Sequence, residues 1–317
     1  MTTAPSHEGS SVEPVEPASG PVDDAGRAGA RETAVGTGAW IVLPTYNEAE
    51  NVGPIAAAIL VAAPGATLLI VDDGSPDGTG TIADGLAGAD ARILVRHRPA
   101  KQGLGRAYLD GFGIALGAGA EFVVQMDADW SHEPAALAGL LQPVRDGTAD
   151  LVIGSRYTRG GGVVDWGLGR RLISRGGSIF ARVVLGLPAH DLTGGFKAWR
   201  AATLAAIPFQ GIHAGGYVFQ IEMTFRASRS GARVKEIPIT FRDRRVGQSK
   251  MSRRIVFEAL VVVVQLRVEE LIGQLRGRGR GSRLAAEVAG AAPPTGAIEP
   301  GPAVEPSPAI EPGRTGR

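Results

Sequence analysis

The 317-residue chain contains no cysteine, which excludes disulfide bonds and thiolate metal sites. It also has no excess of either charge, because 33 Lys and Arg oppose 32 Asp and Glu for a net charge of +1. So small a charge argues against a nucleic-acid partner and leaves function to local sites. Long apolar runs are missing too. The longest, residues 255–266, is interrupted by Glu258 and Gln265 and is too short to cross a bilayer.

Both ends of the chain are poor in large apolar residues. Residues 1–38 are mostly Glu, Pro, Gly, Ser and Ala, and residues 276–317 begin with an Arg-Gly run and continue in Pro, Ala, Gly and Glu. Such segments cannot bury enough apolar surface to offset the entropy lost on ordering. The sequence therefore predicts one folded domain over residues 39–275, between two disordered tails.

Short apolar runs alternate with helical segments through the first half of this domain. The runs lie at residues 40–43, 68–71, 93–95, 122–126 and 151–153. Strands that are apolar throughout and separated by helices predict an α/β fold, with a Rossmann-like, mainly parallel sheet covered by helices on both faces. The second half is less regular, with an amphipathic stretch at 170–187 and a strand-like run at 234–241.

Polar residues directly follow three of the predicted strands. They occupy positions 44–48, 72–75 and 127–129. Ligands of such sheets bind outside the carboxyl ends of the strands, so the three segments should converge on one edge. The sequence therefore predicts a binding site at that edge.

Two carboxylates, Asp127 and Asp129, stand at alternate positions after a buried strand. Close carboxylates repel each other unless a cation neutralises them. Mg²⁺ or Mn²⁺ suits this role, because each prefers oxygen ligands and completes its shell with substrate phosphates. A second interpretation is that the pair caps the following helix.

A second acidic pair, Asp72 and Asp73, ends a neighbouring strand. A carboxylate there can accept hydrogen bonds from a nucleobase, while Asp77 or Thr79 caps the next helix. The alternative is an ordinary Asx turn over the whole segment. One acid for a base and another for a metal fits a nucleoside diphosphate.

Seven motifs in order carry a family resemblance. Four resemble those of the GT-A glycosyltransferases of family two: Leu-Pro-Thr-Tyr-Asn-Glu (43–48), Val-Asp-Asp-Gly-Ser-Pro-Asp-Gly-Thr (71–79), Lys-Gln-Gly-Leu-Gly (101–105) and Met-Asp-Ala-Asp-Trp-Ser-His-Glu-Pro (126–134). Three resemble the polyprenol-phosphate mannose synthase branch: Gly-Ser-Arg-Tyr (154–157), Asp-Leu-Thr-Gly-Gly-Phe-Lys-Ala (191–198) and Asp-Arg-Arg-Val-Gly-Gln-Ser-Lys (243–250). The resemblance spans essentially the whole predicted domain.

The resemblance implies inverting transfer of mannose from GDP-mannose to a polyprenyl monophosphate, with Mg²⁺ or Mn²⁺ as cofactor. The implied metal ligands are Asp127, Asp129 and Ser131. Some relatives have Gln in place of Ser131. Serine is a poorer ligand than glutamine, so a water molecule can stand between Ser131 and the metal. The residues implied to bind the nucleotide sugar are Pro44, Tyr46, Glu48, Val71, Asp73, Lys101, Asp127, Ala128, Asp129, Arg244 and Lys250.

The chemical nature of the acceptor determines whether the transfer reaction needs a general base. A sugar hydroxyl must lose a proton during attack, whereas a lipid phosphate arrives as an anion and needs only binding and alignment. By resemblance, Arg156 and Arg170 bind the acceptor phosphate, although a solvated surface arginine is the alternative for either. We therefore expect Asp129, Arg156 and Arg170 to be the catalytic residues, with no general base.

Several features admit other interpretations. Gly103 and Gly105 could start a dinucleotide loop, but Tyr108 stands where its third glycine should be. His132 either approaches the metal or forms a structural hydrogen bond, and Glu222 is expected to be structural. The stretch 170–187 either packs on the sheet or faces a membrane.

The acidic N terminus does not resemble a secretory signal. With a lipid acceptor, we expect a cytoplasmic protein that is peripheral at the cytoplasmic face of the membrane and reaches its lipid through the membrane surface or an integral membrane partner. Rival functions are a polyprenyl-phosphate glucose synthase using UDP-glucose, a transferase acting on a polysaccharide hydroxyl, and a nucleotide-sugar binding module without turnover.

Overall fold

The computed structural model describes residues 33–213, 215–243, 257 and 259–274. In this part of the chain the strands are β1 (Ala39–Thr45), β2 (Thr67–Asp72), β3 (Ile93–His97), β4 (Phe122–Gln125), β5 (Leu151–Ser155), β6 (Gly162–Val163), β7 (Lys197–Arg200), β8 (Val234–Pro238) and β9 (Thr240–Phe241). The helices are α1 (Val52–Ala62), α2 (Thr79–Ala89), α3 (Leu104–Gly117), α4 (Leu137–Arg145), α5 (Leu168–Leu185), α6 (Ala201–Ala205), α7 (Gly216–Arg229) and α8 (259–274), with a short 3₁₀ helix at Pro134–Ala136.

The central sheet has seven strands in the order β3-β2-β1-β4-β7-β5-β8. Strands β3, β2, β1 and β4 are parallel to one another, as are β5 and β8. A small parallel pair, β6 and β9, lies apart from it. The predicted α/β fold with a mainly parallel sheet is confirmed.

Side chains alternate between the two faces of the sheet and build a core on each. On one face Val42 and Leu69 pack with apolar residues of α3, α5, α7 and α8. On the other, Ile41 and Leu68 pack with α1, α2 and α4. Because both faces are covered, the strands read as continuous apolar runs in the sequence.

Strand β7 is antiparallel to both of its neighbours, β4 and β5. Its sequence, Lys-Ala-Trp-Arg, is too short and too polar to be predicted as a buried strand. The strand nevertheless lies in the interior of the sheet, between β4 and β5. Lys197 pairs with Gln125 on one side and with Ile153 on the other.

Residues 33–38, which we predicted as part of the N-terminal tail, belong to the folded body. Thr37 Oγ1 donates to the Ala34 carbonyl (2.8 Å), and the Gly65 amide donates to the Val35 carbonyl (2.9 Å). The folded part therefore begins earlier than the predicted boundary. The remainder of both predicted tails lies outside the described residues. None of the helices that the structure describes is both long and apolar enough to span a membrane.

Candidate functional site

A cleft of about 360 Å³ opens at the carboxyl ends of β1, β2 and β4, where the sequence predicted it. The predicted site residues that line it are Pro44, Tyr46, Glu48, Asp73, Lys101, Asp127, Ala128, Asp129, Ser131, Arg156 and Arg170. Val71 does not line it, because its side chain packs in the core beneath α3. Arg244 and Lys250 lie outside the described residues.

The acidic end of the cleft, formed by Asp127, Asp129 and Ser131, follows β4 in a tight turn. Trp130 adopts a left-handed backbone conformation in this turn (φ 62°), which is unfavourable for a bulky residue and typical of functional sites. The Ser131 amide donates to Asp129 Oδ1 (3.1 Å). The hydroxyl of Tyr108, on α3, donates to Asp127 Oδ1 (2.7 Å). The turn thus fixes both carboxylates on the cleft wall.

His132 supports this turn from below. Its ring stacks on Phe196 with centroids 4.9 Å apart and meets Phe241 edge-on, and its Nδ1 accepts a hydrogen bond from the Asp127 amide (3.2 Å). Burial lowers the pKa of His132 below its ordinary value, which favours the neutral ring that can accept this bond. The structure therefore places His132 as a support of the acidic turn.

The acidic end has the chemistry of a site for a hard divalent cation. It offers two carboxylates, and the Ser131 hydroxyl, which is 1% exposed, has no hydrogen-bond partner among the described residues. No group of three or more His, Asp or Glu side chains in the described ranges is arranged to hold a metal by itself. A cation bound here would need further oxygens from a ligand, as Mg²⁺ does when it bridges carboxylates and phosphates.

The two acids at the end of β2 have different environments. Asp72 accepts hydrogen bonds from Thr45 Oγ1 (3.2 Å) and from the amide and hydroxyl of Ser75 (3.1 and 2.5 Å). It therefore forms a structural Asx turn, the alternative noted for this segment.

Asp73 lies on the cleft wall and orders the loop that precedes α3. It accepts hydrogen bonds from Arg98 Nη1 and from the amides of Gln102 and Gly103 (3.0 and 2.8 Å to Oδ2). Next to it, Lys101 Nζ lies 3.6 Å from the ring centroid of Tyr46, a cation–π contact. Sequence reasoning missed Arg98, since a lone arginine after a short strand carries no motif.

The cationic end of the cleft comprises Arg156, Trp166 and Arg170. Arg156 is 4% exposed and donates through Nε and Nη2 to the two oxygens of Asp191 (2.7 and 2.6 Å), and through Nη2 to Thr193 Oγ1 (2.8 Å). Burial alone would lower the pKa of Arg156, but Asp191 outweighs it and raises the pKa. Arg156 is therefore a fixed cation in a set position.

Arg170 and Trp166 complete this end. The Arg170 guanidinium lies 4.2 Å from the Trp166 ring centroid, and its Nη1 donates to Asp243 (2.6 Å). Arg170 Nε and Trp166 Nε1 are buried donors without a partner among the described residues. Because buried donors are normally paired, the two indicate a place for a ligand with acceptor oxygens.

Several residues that line the cleft carried no role in the sequence analysis, among them Tyr108, Trp166 and Gln220. Tyr108 was noted only as a departure from a glycine loop, and Trp166 and Gln220 belong to no quoted motif. Their contacts depend on how α3, α5 and α7 pack on the sheet, which no local pattern reveals. Glu222 does not line the cleft; it accepts from the His213 amide (2.8 Å) and from Arg226 (2.6 Å).

Comparison with known proteins agrees with this geometry. The family model "Glycosyl transferase family 2" matches residues 40–207. The chain belongs to this family. It is 49% identical over 224 residues to the undecaprenyl-phosphate mannosyltransferase of Micrococcus luteus, covering 71% of this chain and 91% of that protein. It is 44% identical over 238 residues to the polyprenol monophosphomannose synthase of Mycolicibacterium smegmatis, covering 75% and 89%.

Solved structures show the same fold. Glucosyl-3-phosphoglycerate synthase from Mycobacterium tuberculosis, in complex with Mn²⁺, UDP and glucosyl-3-phosphoglycerate, superposes with a TM-score of 0.54 at 21% identity, covering 74% of this chain and 80% of that one. The complex of that enzyme with Mg²⁺ and UDP gives the same score and identity over 74% and 79%. This family 2 chain therefore has the GT-A type fold and is a glycosyltransferase.

Proposed function

We propose that this glycosyltransferase transfers mannose from GDP-mannose to a polyprenyl monophosphate, with inversion, to give a polyprenyl-phosphate β-mannose. The observation that carries the proposal is the pairing of an acidic end and a cationic end in one cleft of about 360 Å³. Each end suits a different phosphate-bearing substrate. The two relatives at 49% and 44% identity, a polyprenyl-type mannosyltransferase and a mannose synthase by name, support this choice of substrates.

The donor diphosphate belongs at the acidic end. Asp127 and Asp129 would hold a Mg²⁺ or Mn²⁺ ion, with the Ser131 hydroxyl beside it, directly or through water. The ion supplies charge neutralisation for the departing diphosphate. The nucleoside then extends along the ends of β1 and β2, over Tyr46 and the loop that Asp73 orders. We place Arg244 and Lys250, outside the described residues, as further donor ligands by family resemblance.

The acceptor phosphate belongs at the cationic end. Arg156 offers a fixed guanidinium, and the unpaired N–H donors of Arg170 and Trp166 offer two hydrogen bonds to phosphate oxygens. The carboxylates described at this end, Asp191 and Asp243, are each ion-paired with an arginine, so we assign neither as a general base. No general base is required, because the phosphate is already the nucleophile and attacks the anomeric carbon opposite the leaving diphosphate.

The lipid chain has an apolar surface next to this end. A small pocket of about 40 Å³ between α5, α7 and α8 shares Thr193 and Tyr217 with the cleft. Beyond it, the side chains of Leu168, Leu172 and Val183 on α5 are 83%, 76% and 74% exposed. We place the membrane, or an integral membrane partner, against this side, at the cytoplasmic face of the membrane.

Radiolabelled transfer with the purified full chain tests the proposal. GDP-mannose, polyprenyl phosphate and Mg²⁺ or Mn²⁺ should give a lipid-linked mannose, and a chelator should abolish it. NMR of the product should show a β linkage, whereas an α linkage would contradict inversion. Consumption of UDP-glucose in place of GDP-mannose would refute the donor and favour a glucose synthase.

A further inference from the structure

Gln220 carries a buried side-chain amide at the wall of the cleft. The residue lies on α7, is 3% exposed and lines the cleft. Its Nε2 has no hydrogen-bond partner in the part of the chain that the structure describes. Because an unpaired buried amide costs stability, its retention points to a ligand that supplies the partner.

The direction of this amide follows from a chain of hydrogen bonds. Trp199 Nε1, which can only donate, lies 2.7 Å from Gln125 Oε1. Gln125 must therefore turn its NH₂ group the other way, where it lies 3.4 Å from Gln220 Oε1. Gln220 in turn has its oxygen towards Gln125 and its NH₂ group towards the cleft. One indole thus orients two amides.

The backbone of Gln220 is held as firmly as its side chain. Lys197 Nζ and Thr224 Oγ1 both donate to the Gln220 carbonyl, at 2.8 and 2.9 Å. Lys197 is fully buried in the interior of the sheet. This end of α7 is therefore tied to β7, and the free amide is preorganised.

Gly195 leaves open the space into which this amide projects. A Cβ at Gly195 would lie 3.4 Å from Asp127 Oδ2 and 3.5 Å from Gln220 Nε2. The space is thus bordered by one acceptor and one donor. A hydroxyl group both donates and accepts and matches the pair, whereas a phosphate oxygen would meet the Asp127 carboxylate.

The sheet order shows which part of a nucleotide sugar carries this hydroxyl. Asp73 follows β2, Asp127 follows β4, and Gly195 lies two residues before β7, in a sheet ordered β2-β1-β4-β7. The space beside Gly195 therefore lies on the opposite side of Asp127 from the nucleoside loop. A diphosphate at the acidic end separates the nucleoside from the sugar, so the sugar falls on the Gly195 side.

We propose that Gln220 Nε2 and Asp127 Oδ2 together bind one hydroxyl of the transferred sugar, which makes Gln220 a residue that determines donor-sugar specificity. Gly195 provides the room for that hydroxyl. This assignment rests on the proposed function in one respect, namely that the donor is a nucleotide sugar.

Binding of GDP-mannose and of GDP, each with Mg²⁺, to the wild type and to Gln220→Leu tests the assignment. The Kd of GDP-mannose should rise about 10- to 100-fold in the variant, as for loss of a buried hydrogen bond, while the Kd of GDP stays within about twofold. Equal losses for both ligands would overturn the proposal, because they would place Gln220 at the ribose or diphosphate or give it a purely structural role.

Monodeoxy analogues of GDP-mannose identify the hydroxyl. One analogue should bind the wild type weakly, and its loss of affinity relative to GDP-mannose should be clearly smaller in Gln220→Leu, where only the Asp127 contact remains to be lost. If every analogue loses the same factor in both proteins, Gln220 contacts no sugar hydroxyl. Gly195→Ala should reproduce the selective loss, because its methyl group fills the space.

Thr224→Val is the matched control. It removes the hydrogen bond to the carbonyl of Gln220 and the one accepted from Lys197 but leaves the amide in place. It should therefore lower the melting temperature without changing the ratio of the Kd of GDP-mannose to the Kd of GDP. If the wild type binds UDP-glucose and rejects GDP-mannose, the proposed donor fails but this assignment does not. The same comparison is then made with UDP-glucose and UDP.

Discussion

The two ends of the cleft are built in opposite ways. At the acidic end Asp127, Asp129 and Ser131 lie within five residues of one another in a single turn after β4. At the cationic end, each arginine is held by a carboxylate far away in sequence, Arg156 by Asp191 and Arg170 by Asp243. The first end is local in sequence and the second exists only in the folded chain.

This contrast has a consequence for catalysis. A local turn on a strand end is rigid, and suits carboxylates that must stay close despite their repulsion. Arginines held by distant partners depend on the packing of β5, α5 and the segments around residues 191 and 243. Damage to one end should therefore leave the other intact, and the predictions for Arg170 and Tyr108 test that independence.

The largest effect is expected at the acidic end. Asp129→Asn should lower kcat/KM by about 1,000-fold or more, because an amide no longer neutralises a divalent cation at the diphosphate. Asp146→Asn, on the surface, is the matched control and should leave activity unchanged. Activity is measured by mannose transfer and folding by thermal unfolding. Substantial activity in a folded Asp129→Asn protein would show that the cation lies elsewhere.

At the cationic end, Arg170→Gln should reduce kcat/KM for polyprenyl phosphate by about 100-fold, because a charge-assisted phosphate contact is lost. The Kd of GDP should not change if the two ends are independent. Arg171→Gln, the exposed neighbour on α5, provides the control. A matching fall in GDP affinity would mean that Arg170 serves the donor.

A smaller effect is expected for the hydroxyl that links α3 to the acidic turn. Tyr108→Phe removes the donor to Asp127 Oδ1 and should lower kcat/KM by about tenfold, with the loss appearing in donor binding. The KM for polyprenyl phosphate should stay the same. A change confined to the acceptor KM would contradict the position we give to Tyr108.

The smallest effect on catalysis is expected for the strand between the two ends, where the change appears in stability. Burial lowers the pKa of Lys197 to about 7, from 10.5 in the unfolded chain. Between these values the unfolded chain holds a proton that the folded chain lacks, so stability rises with pH by at most about 1.4 kcal/mol per unit. Urea titrations from pH 7 to pH 10 should show this rise in the free energy of unfolding of the wild type, and should show that Lys197→Met lacks it. An unchanged slope would mean that Lys197 remains charged in the folded protein.

The acidic end, which is local in sequence, could be predicted from the sequence more fully than the cationic end, which is built from distant residues. The parallel strands are continuous apolar runs, and the acidic turn follows one of them directly, so fold and family were predicted and confirmed. Arg156 and Arg170 were assigned by resemblance; their partners Asp191 and Asp243 were not, because each pairing spans at least 35 residues.

The residues that sequence reasoning missed share one property. Arg98, Trp166 and Gln220 each take their place from packing between elements that no spacing rule connects. Gln220 is the clearest case, since its orientation depends on Gln125 and Trp199 from two other elements. A pattern search has no signal for a relay of this kind.

Strand β7 also determines the order in which the sheet can be completed. Among the described strands it alone pairs with both β4 and β5, so the first four strands and the β5–β8 pair have no direct ladder between them. Strands β4 and β5 can therefore be joined only after residues 197–200 have been synthesised. Pairing of β7 with both neighbours therefore joins the two halves of the sheet and brings the acidic and cationic ends of the cleft together in the same step.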